Sequence, residues 1–238
     1  MKHSTKTQRN RVAPQQLPWG GAGLSKRDRA VVETLALRVR VLSVHQAART
    51  WWTDSSAPLK ACQLRLRELA AMGLLDLFDM LAHPELELAT PLTVWQPGLD
   101  RPDLAAIAHR ARARWTRASV STTLVCATGE GGAKVGGEGG RRPRTSEATH
   151  DLHVATTFLV MRRQLPTRAR SWRSESLLQH RAQALPKANP APRDRLPDAM
   201  VRDGRSETAI EFVGDYATDK MAEFHEYCRR SNLGYELW

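Results

Sequence analysis

The chain has 238 residues and a formal net charge of +11 at pH 7, with 36 lysines and arginines against 25 aspartates and glutamates. That length allows one large domain or two small ones. The positive charge predicts a polyanionic partner, and nucleic acid is the first interpretation. An anionic membrane surface is the second interpretation, and a charge that only keeps the protein soluble is the third. No stretch approaches the roughly 20 apolar residues that cross a bilayer, and the basic N-terminus lacks the apolar run of a signal peptide, so we expect a cytoplasmic protein without membrane contact.

Residues 1–23 contain no acid. Their first half is basic and their second half is rich in proline and glycine; the lysines and arginines are Lys2, Lys6, Arg9 and Arg11. This composition predicts a disordered basic arm. Such an arm either lies along a DNA groove or remains a free tail, and the sequence leaves both open.

Three short helices are predicted next. Ser25 is a good N-cap for the first helix, Ser43 starts the second, and Pro58 opens the third after two serines; Gly73 ends it. Two strands are predicted at residues 74–78 and 91–95. Three helices followed by a two-stranded wing are typical of a winged helix-turn-helix, which we place over residues 24–98.

The third helix is the element predicted to read DNA. Its apolar stripe must face the core (Leu59, Cys62, Leu66 and Leu69). Lys60, Gln63 and Arg67 then point outward, with Ser55 and Ser56 near the helix start. Glutamine and arginine make bidentate contacts with base edges and lysine holds phosphate, which predicts double-stranded DNA as the partner. The predicted wing is acidic, and winged helices also serve as protein-interaction modules, so an adaptor remains an alternative.

A helical extension is predicted over residues 99–128, with a helix at 99–118. Arg110, Arg114 and Arg117 share one face of it, which either grips the DNA backbone or is solvated. Residues 129–146 are rich in glycine and then in arginine, which predicts a flexible linker and the domain boundary.

Residues 147–238 predict a small α/β domain with the order helix, strand, strand, strand, helix, strand. The predicted elements cover residues 151–164, 169–175, a strand after Pro197-Asp198, 209–213, 219–230 and 235–238. A strand, a crossover helix and a further strand imply a parallel pair with a right-handed connection.

The acids of this domain follow a known pattern. Pro197-Asp198, and then Ile210-Glu211-Phe212 on the next strand, resemble the PD-(D/E)XK nuclease signature, with Glu175 as a third acid upstream. Together with Trp172 and the front helices, these motifs resemble the replication-relaxation family of plasmids and mobile elements over most of residues 25–238. The resemblance implies an α+β winged helix-turn-helix followed by an α/β PD-(D/E)XK-like domain (α-β-β-β-α-β), with a role in replication or transcriptional control.

If the domain is catalytic, the resemblance implies Mg²⁺ as the cofactor. Phosphodiester hydrolysis uses a cation with hard oxygen ligands, and these would be Asp198 and Glu211, with Glu175 in support. The nuclease pattern also has a lysine two residues after the second acid, where this sequence has Val213.

Lys220 in the following helix, or less favourably Lys187, is the substitute cation available. The missing lysine leaves two hypotheses open: a DNA-binding protein with a non-catalytic second domain, and a Mg²⁺-dependent endonuclease or nickase.

Cysteines and histidines suggest one further hypothesis. The three cysteines lie far apart without a C-x-x-C pair, which predicts buried thiols and no disulfide framework (Cys62, Cys126 and Cys228). Spacing of i,i+3 also allows a His₃Cys zinc site (His150, His153, His225 and Cys228). The inward stripe of its helix already accounts for Cys228, however, and a helix start accounts for His150. The oligomeric state is left open, a homodimer included.

Overall fold

A computed structural model describes residues 23–137, 139–184, 196–204, 206–215 and 217–238 as a mixture of helices and two sheets. The helices are α1 (Lys26–Leu37), α2 (Val44–Trp51), α3 (Pro58–Ala71), α4 (Leu104–Arg112), α5 (Gly129–Lys134), α6 (Thr145–Gln164), α7 (Pro166–Arg170), α8 (Glu175–Ala184) and α9 (Thr218–Arg230). The strands are β1 (Leu42–Ser43), β2 (Leu75–Ala82), β3 (Thr93–Trp95), β4 (Val120–Ala127), β5 (Arg173–Ser174), β6 (Ala199–Asp203), β7 (Ser206–Glu211) and β8 (Gly234–Leu237). None of the described helices is long and apolar enough to cross a membrane. The predicted basic arm falls outside the described residues, except for Gly23.

The first two helices begin where the sequence predicts, because each starts with a reciprocal capping box. The Ser25 hydroxyl accepts from the amide of Asp28 while the Asp28 carboxylate accepts from the amide of Ser25. Ser43 and Gln46 repeat this arrangement at the start of α2. Each box satisfies amides that have no partner within the helix.

The front sheet corrects the predicted wing. Its strand order is β1-β4-β2, and β2 pairs with β4 in an antiparallel ladder from Leu75 opposite Ala127 to Ala82 opposite Val120. The strand predicted at 91–95 exists as β3, but it pairs antiparallel with β8 at the edge of the other sheet. The chain between β2 and β4 therefore leaves the front unit (α1–α3 with β1, β2 and β4), contributes a strand and α4 to the back half, and returns.

The described part of the predicted flexible linker (129–137 and 139–146) contains a helix and close backbone contacts. Residues 129–134 form α5, whose N-cap hydroxyl, that of Thr128, accepts from the amide of Gly131. A Cβ added to Gly131 would lie 2.1 Å from the carbonyl oxygen of Leu74, and one on Gly139 would lie 2.2 Å from that of Thr128. Gly131 and Gly139 are required by close backbone contact, so glycine content alone does not indicate flexibility here. The helix predicted at 99–118 is likewise shorter, as α4.

The back unit (α4, α6–α9, β3 and β5–β8) has a five-stranded sheet of order β3-β8-β7-β6-β5. The β5–β6 and β6–β7 pairs are antiparallel, and β7 and β8 are parallel with α9 between them, as predicted from the strand–helix–strand order. The predicted strand at 169–175 is reduced to β5, because residues 166–170 form α7 and Glu175 begins α8.

Both faces of the back sheet are buried. Ala199, Val201 and Ile210 pack in the core shared with α6 and with the front unit. Met200 and Ala209, which alternate with them, face a second core built with α4 and α9. This period-two alternation is what a strand covered on both sides by helices requires.

The two units share one core and direct hydrogen bonds. The indole of Trp172 donates to the carbonyl of Arg38 at 2.8 Å, and the Arg38 guanidinium donates to the carbonyl of Trp172. The side-chain amide of Gln46 donates to the carbonyl of Leu152 and to the hydroxyl of Thr156, both at 2.9 Å. The buried Gln46 bonds join α2 to α6, and the Arg38–Trp172 pair joins the end of α1 to the segment before β5.

Candidate functional site

The outward face of α3 is open to solvent. Cys62, Leu66 and Leu69 are fully buried beneath the helix. Lys60 and Arg67 are exposed and Gln63 is half-buried on the other side, which is the arrangement that the apolar spacing predicts. Leu64 lies among them and is 61% exposed.

The polar residues of this face have no partner in the described part of the chain: no hydrogen bond or ion pair there involves Lys60, Gln63 or Arg67. Arg65 differs, because its guanidinium is bound to Asp28 at 2.8 Å and to Glu68 at 2.6 Å. Against the opposing effect of burial, hydrogen bonds from Arg65 and Ser25 lower the pKa of Asp28. Arg65 therefore supports the fold, while Lys60 and Arg67 are available to a ligand.

Ser55 and Ser56 lie in the turn before α3. The Ser55 hydroxyl accepts from the amide of Ala57 at 3.2 Å, and Ser56 is exposed. The N-cap of α3 is Ala57, which makes no side-chain capping bond. The two serines therefore flank the helix start at the edge of the exposed face.

Arg114 does not belong to a DNA-binding face. Its guanidinium donates to the carbonyl of Val213 at 2.6 Å and to that of Trp238 at 3.1 Å, and it lies over the ring of Phe212. Burial, with a smaller effect of Arg110, lowers its pKa to about 10. Its role in the structure is to hold the ends of β7 and β8. Arg110 is exposed and makes one long bond, 3.3 Å, to the carbonyl of Leu92.

The second candidate site is a pair of buried acids in the back unit. Asp198 directly precedes β6 and Glu211 ends β7, so the antiparallel pairing of these strands brings them together. The amide of Asp198 donates to Glu211 Oε2 at 3.2 Å, and the amide of Phe212 donates to Asp198 Oδ2 at 2.8 Å. Asp198 is 8% and Glu211 2% exposed. The juxtaposition that the sequence predicts for these two residues is present.

The cation beside this pair is His150 of α6. Its Nε2 lies 2.8 Å from Asp198 Oδ1. Burial alone would lower the pKa of His150, but the charges of Asp198, Glu211 and Asp151, with the hydrogen bond to Asp198, raise it to about 9. The imidazole is therefore an imidazolium at neutral pH.

A shell of further charges surrounds the histidine. Arg40, in the loop before β1, contacts Asp151 at 2.9 Å, Glu147 at 3.3 Å and Glu175 at 3.9 Å. Burial raises the pKa of Asp151 to about 6, against the lowering effect of Arg40 and His150. The network thus continues from the acid pair to the front unit.

The other predicted catalytic residues are not gathered at the acid pair. The carboxylate of Glu175 accepts from the side chain of Gln179 at 2.9 Å and faces Arg40, while only its backbone amide bonds to Asp198, at the carbonyl. Lys220 is exposed and lines a surface cleft with Arg101 and α9. Lys187 lies outside the described residues. Val213 is fully buried.

Hydrogen bonds within the protein already engage the oxygens of the acid pair. Both oxygens of Asp198 already accept a hydrogen bond, one of them from an imidazolium, and Glu211 is bound to the amide of Asp198. Across the described ranges, no group of three or more histidine, cysteine, aspartate and glutamate side chains is placed to hold a metal ion. The four residues of the alternative His₃Cys zinc site are therefore not gathered in the described ranges, whereas Mg²⁺ at Asp198 and Glu211 stays a prediction.

The members of the zinc hypothesis have separate partners instead. His153 Nδ1 donates to the carbonyl of Thr149 while its Nε2 accepts from the amide of Leu86, and burial lowers its pKa to about 4. His225 bonds to the hydroxyl of Tyr235. Burial raises the pKa of Cys228 to about 12. All three cysteines are buried free thiols, as predicted.

Sequence reasoning missed the role of His150 and Arg40. His150 stands in the His150-Asp151-Leu152-His153 run, which was assessed only as a source of metal ligands. Its partner lies 48 positions away, so spacing cannot reveal it. The only available signal is the absence of a lysine beside two acids, since a buried acid pair needs another cation.

No protein-family model, curated protein or solved structure matches this chain.

Proposed function

We propose that this protein binds double-stranded DNA through the outward face of α3. The observation that carries the proposal is that Lys60, Gln63 and Arg67 are accessible and unpartnered within the described residues, on a helix of a chain with net charge +11. Within the front unit, the order α1, β1, α2, α3, β2, β4 supports a winged helix-turn-helix, in which the third helix enters the major groove. Bidentate side chains then contact base edges and lysine contacts phosphate.

The back unit serves in this proposal as a non-catalytic scaffold of PD-(D/E)XK type. The β6–β7 pairing and the crossover through α9 to β8 support the later part of the α-β-β-β-α-β order, although α8 stands between β5 and β6. Asp198 and Glu211 are neighbours at β6 and β7. His150 offsets one of the two negative charges of the buried pair, which weakens its attraction for a metal ion. The motif resemblance extends the proposal to replication or transcriptional control of a plasmid or mobile element.

Fluorescence anisotropy with a labelled duplex tests the DNA contact. The double variant Lys60→Ala/Arg67→Ala should bind at least tenfold more weakly. It should also lower the slope of log affinity against log salt by about one, since Lys60 is the proposed phosphate contact and each such contact contributes about 0.9. The matched control is Arg163→Ala/Arg170→Ala. These two arginines are also exposed and without a partner in the described residues, but they line a groove between α1, α2, α6 and α7.

Equal losses in the two double variants would mean that only total charge matters, and would reject α3 as the contact. Binding of the wild-type chain that does not weaken as salt rises would reject the proposal altogether.

A plasmid-nicking assay tests the scaffold role. Supercoiled plasmid should remain intact with the wild-type chain and Mg²⁺ or Mn²⁺. Metal-dependent nicking that disappears in Asp198→Ala and Glu211→Ala would show that the acid pair is catalytic.

A further inference from the structure

Leu64 is the most exposed large apolar side chain in the described residues, at 61%. It lies about 160° around α3 from Cys62 and about 40° from Lys60, taking about 100° per residue. Cys62 is fully buried in the core. Leu64 therefore points away from the core and belongs to the same face as Lys60 and Arg67, so the fold itself gives no reason for a leucine there.

The chemistry of this face matches base edges in the major groove. Of the four bases only thymine presents a methyl group there, which apolar side chains contact, while the adjacent polar edges are read by glutamine and arginine. Gln63 and Arg67 lie about 100° and about 60° around α3 from Leu64, on the same side as Lys60, and are unpartnered in the described ranges. Glu68, about 40° from Leu64 on the other side, is paired with Arg65 at 2.6 Å. An apolar side chain at the edge of these amide and guanidinium groups suits a thymine methyl beside polar base edges.

We propose that Leu64 is a specificity-determining contact to the C5 methyl group of a thymine in duplex DNA, an inference that rests on the proposed function. A second copy of the chain is the competing occupant. Charge disfavours it, because symmetric pairing of this face would bring Lys60 and Arg67 against their own copies. A DNA groove instead offers phosphates to the cations and a methyl group to the leucine.

The test removes the methyl group from the DNA. Duplexes are first selected with the full chain from a random-sequence library, and each thymine of the selected site is then replaced by deoxyuridine. When deoxyuridine stands at one or two of these positions, the wild-type chain should bind about fourfold more weakly than it binds the thymine duplex. Burial of one methyl group contributes about 0.8 kcal/mol, which corresponds to that factor.

The variant Leu64→Ala completes the cycle. It should bind the thymine duplex about as weakly as the wild type binds the deoxyuridine duplex, and the replacement should no longer affect it. Leu99→Ala is the matched control, because Leu99 is 60% exposed and lies outside α3. That variant should keep the full response to deoxyuridine. Leu64 has few contacts to lose, so the variant should retain the thermal stability of the wild type.

Two outcomes would overturn the inference. One is salt-sensitive binding without any enriched sequence, which would leave the proposed function standing and reject base reading by α3. The other is a Leu64→Ala variant that loses as much affinity on the deoxyuridine duplex as the wild type does. If that variant also changes the oligomeric state, Leu64 contacts a second copy of the chain and not DNA. Absence of salt-sensitive duplex binding would instead reject the proposed function.

Discussion

His150 and Asp198 form an ion pair of 2.8 Å between α6 and the start of β6. Asp198 also contacts Glu211, because its amide donates to the Glu211 carboxylate. Next to His150 in the chain, Asp151 pairs with Arg40 of the front unit. The imidazolium therefore stands between the buried acid pair and the charged residues at the front unit. A cation of the protein itself thus lies against the acid that the sequence predicts as a metal ligand.

This pair predicts a loss of stability in alkaline solution. The folded-state pKa of His150 is about 9, above the ordinary value of 6.5, so the stabilisation is complete below about pH 6.5 and is lost as pH rises through 9. The contribution is at most about 3 kcal/mol. The melting temperature of the wild type should therefore fall between pH 6.5 and pH 9.5 by more than that of His150→Gln.

The exposed His109 of α4 supplies the control: His109→Gln should follow the wild-type curve. A His150→Gln variant with the wild-type alkaline slope would show that the ion pair does not contribute as expected.

Removing the histidine should create a response to metal. In His150→Ala the two buried acids lose their cation, and a divalent ion becomes the available neutralising charge. Millimolar Mn²⁺ should leave the melting temperature of the wild type unchanged and raise that of His150→Ala, with EDTA reversing the shift. The double variant His150→Ala/Asp198→Asn lacks one acid and should not respond. A wild-type chain that is stabilised by Mn²⁺ as strongly as His150→Ala would contradict this account of the site.

Arg114 is expected to matter for stability and not for DNA contact. Arg114→Ala leaves the carbonyls of Val213 and Trp238 without their donor, which should lower the free energy of unfolding by about 2–4 kcal/mol. Arg110→Ala removes an equal charge from the surface and should change it by less than about 0.5 kcal/mol. Urea denaturation of both variants checks the difference, and similar small effects would place Arg114 back among the surface cations.

Local signals in the sequence predict much of this fold, and long-range relationships account for what they miss. The helix starts at Ser25 and Ser43 follow from capping side chains three residues apart, and the crossover from β7 to β8 follows from element order. The partner of β2 is β4, which begins 38 residues after β2 ends (Ala82 to Val120). Sequence proximity instead favours β3 as the partner, so the predicted wing is wrong at that strand. The contact of His150 with Asp198 is equally non-local, whereas the open face of α3 needs only helical periodicity.

The glycines after β4 give the sharpest contrast between composition and packing. Gly131 lies where an added Cβ would be 2.1 Å from the carbonyl oxygen of Leu74, whereas a Cβ on Gly129, in the same helix, would meet nothing within 4 Å. Gly131→Ala should therefore destabilise the protein by about 1–3 kcal/mol or more, because backbone must move. Gly129→Ala should be neutral or slightly stabilising, since alanine favours helix by up to about 1 kcal/mol. Thermal and urea denaturation of the two variants measure the difference. If both substitutions are tolerated equally, the segment is the flexible linker that its composition predicts.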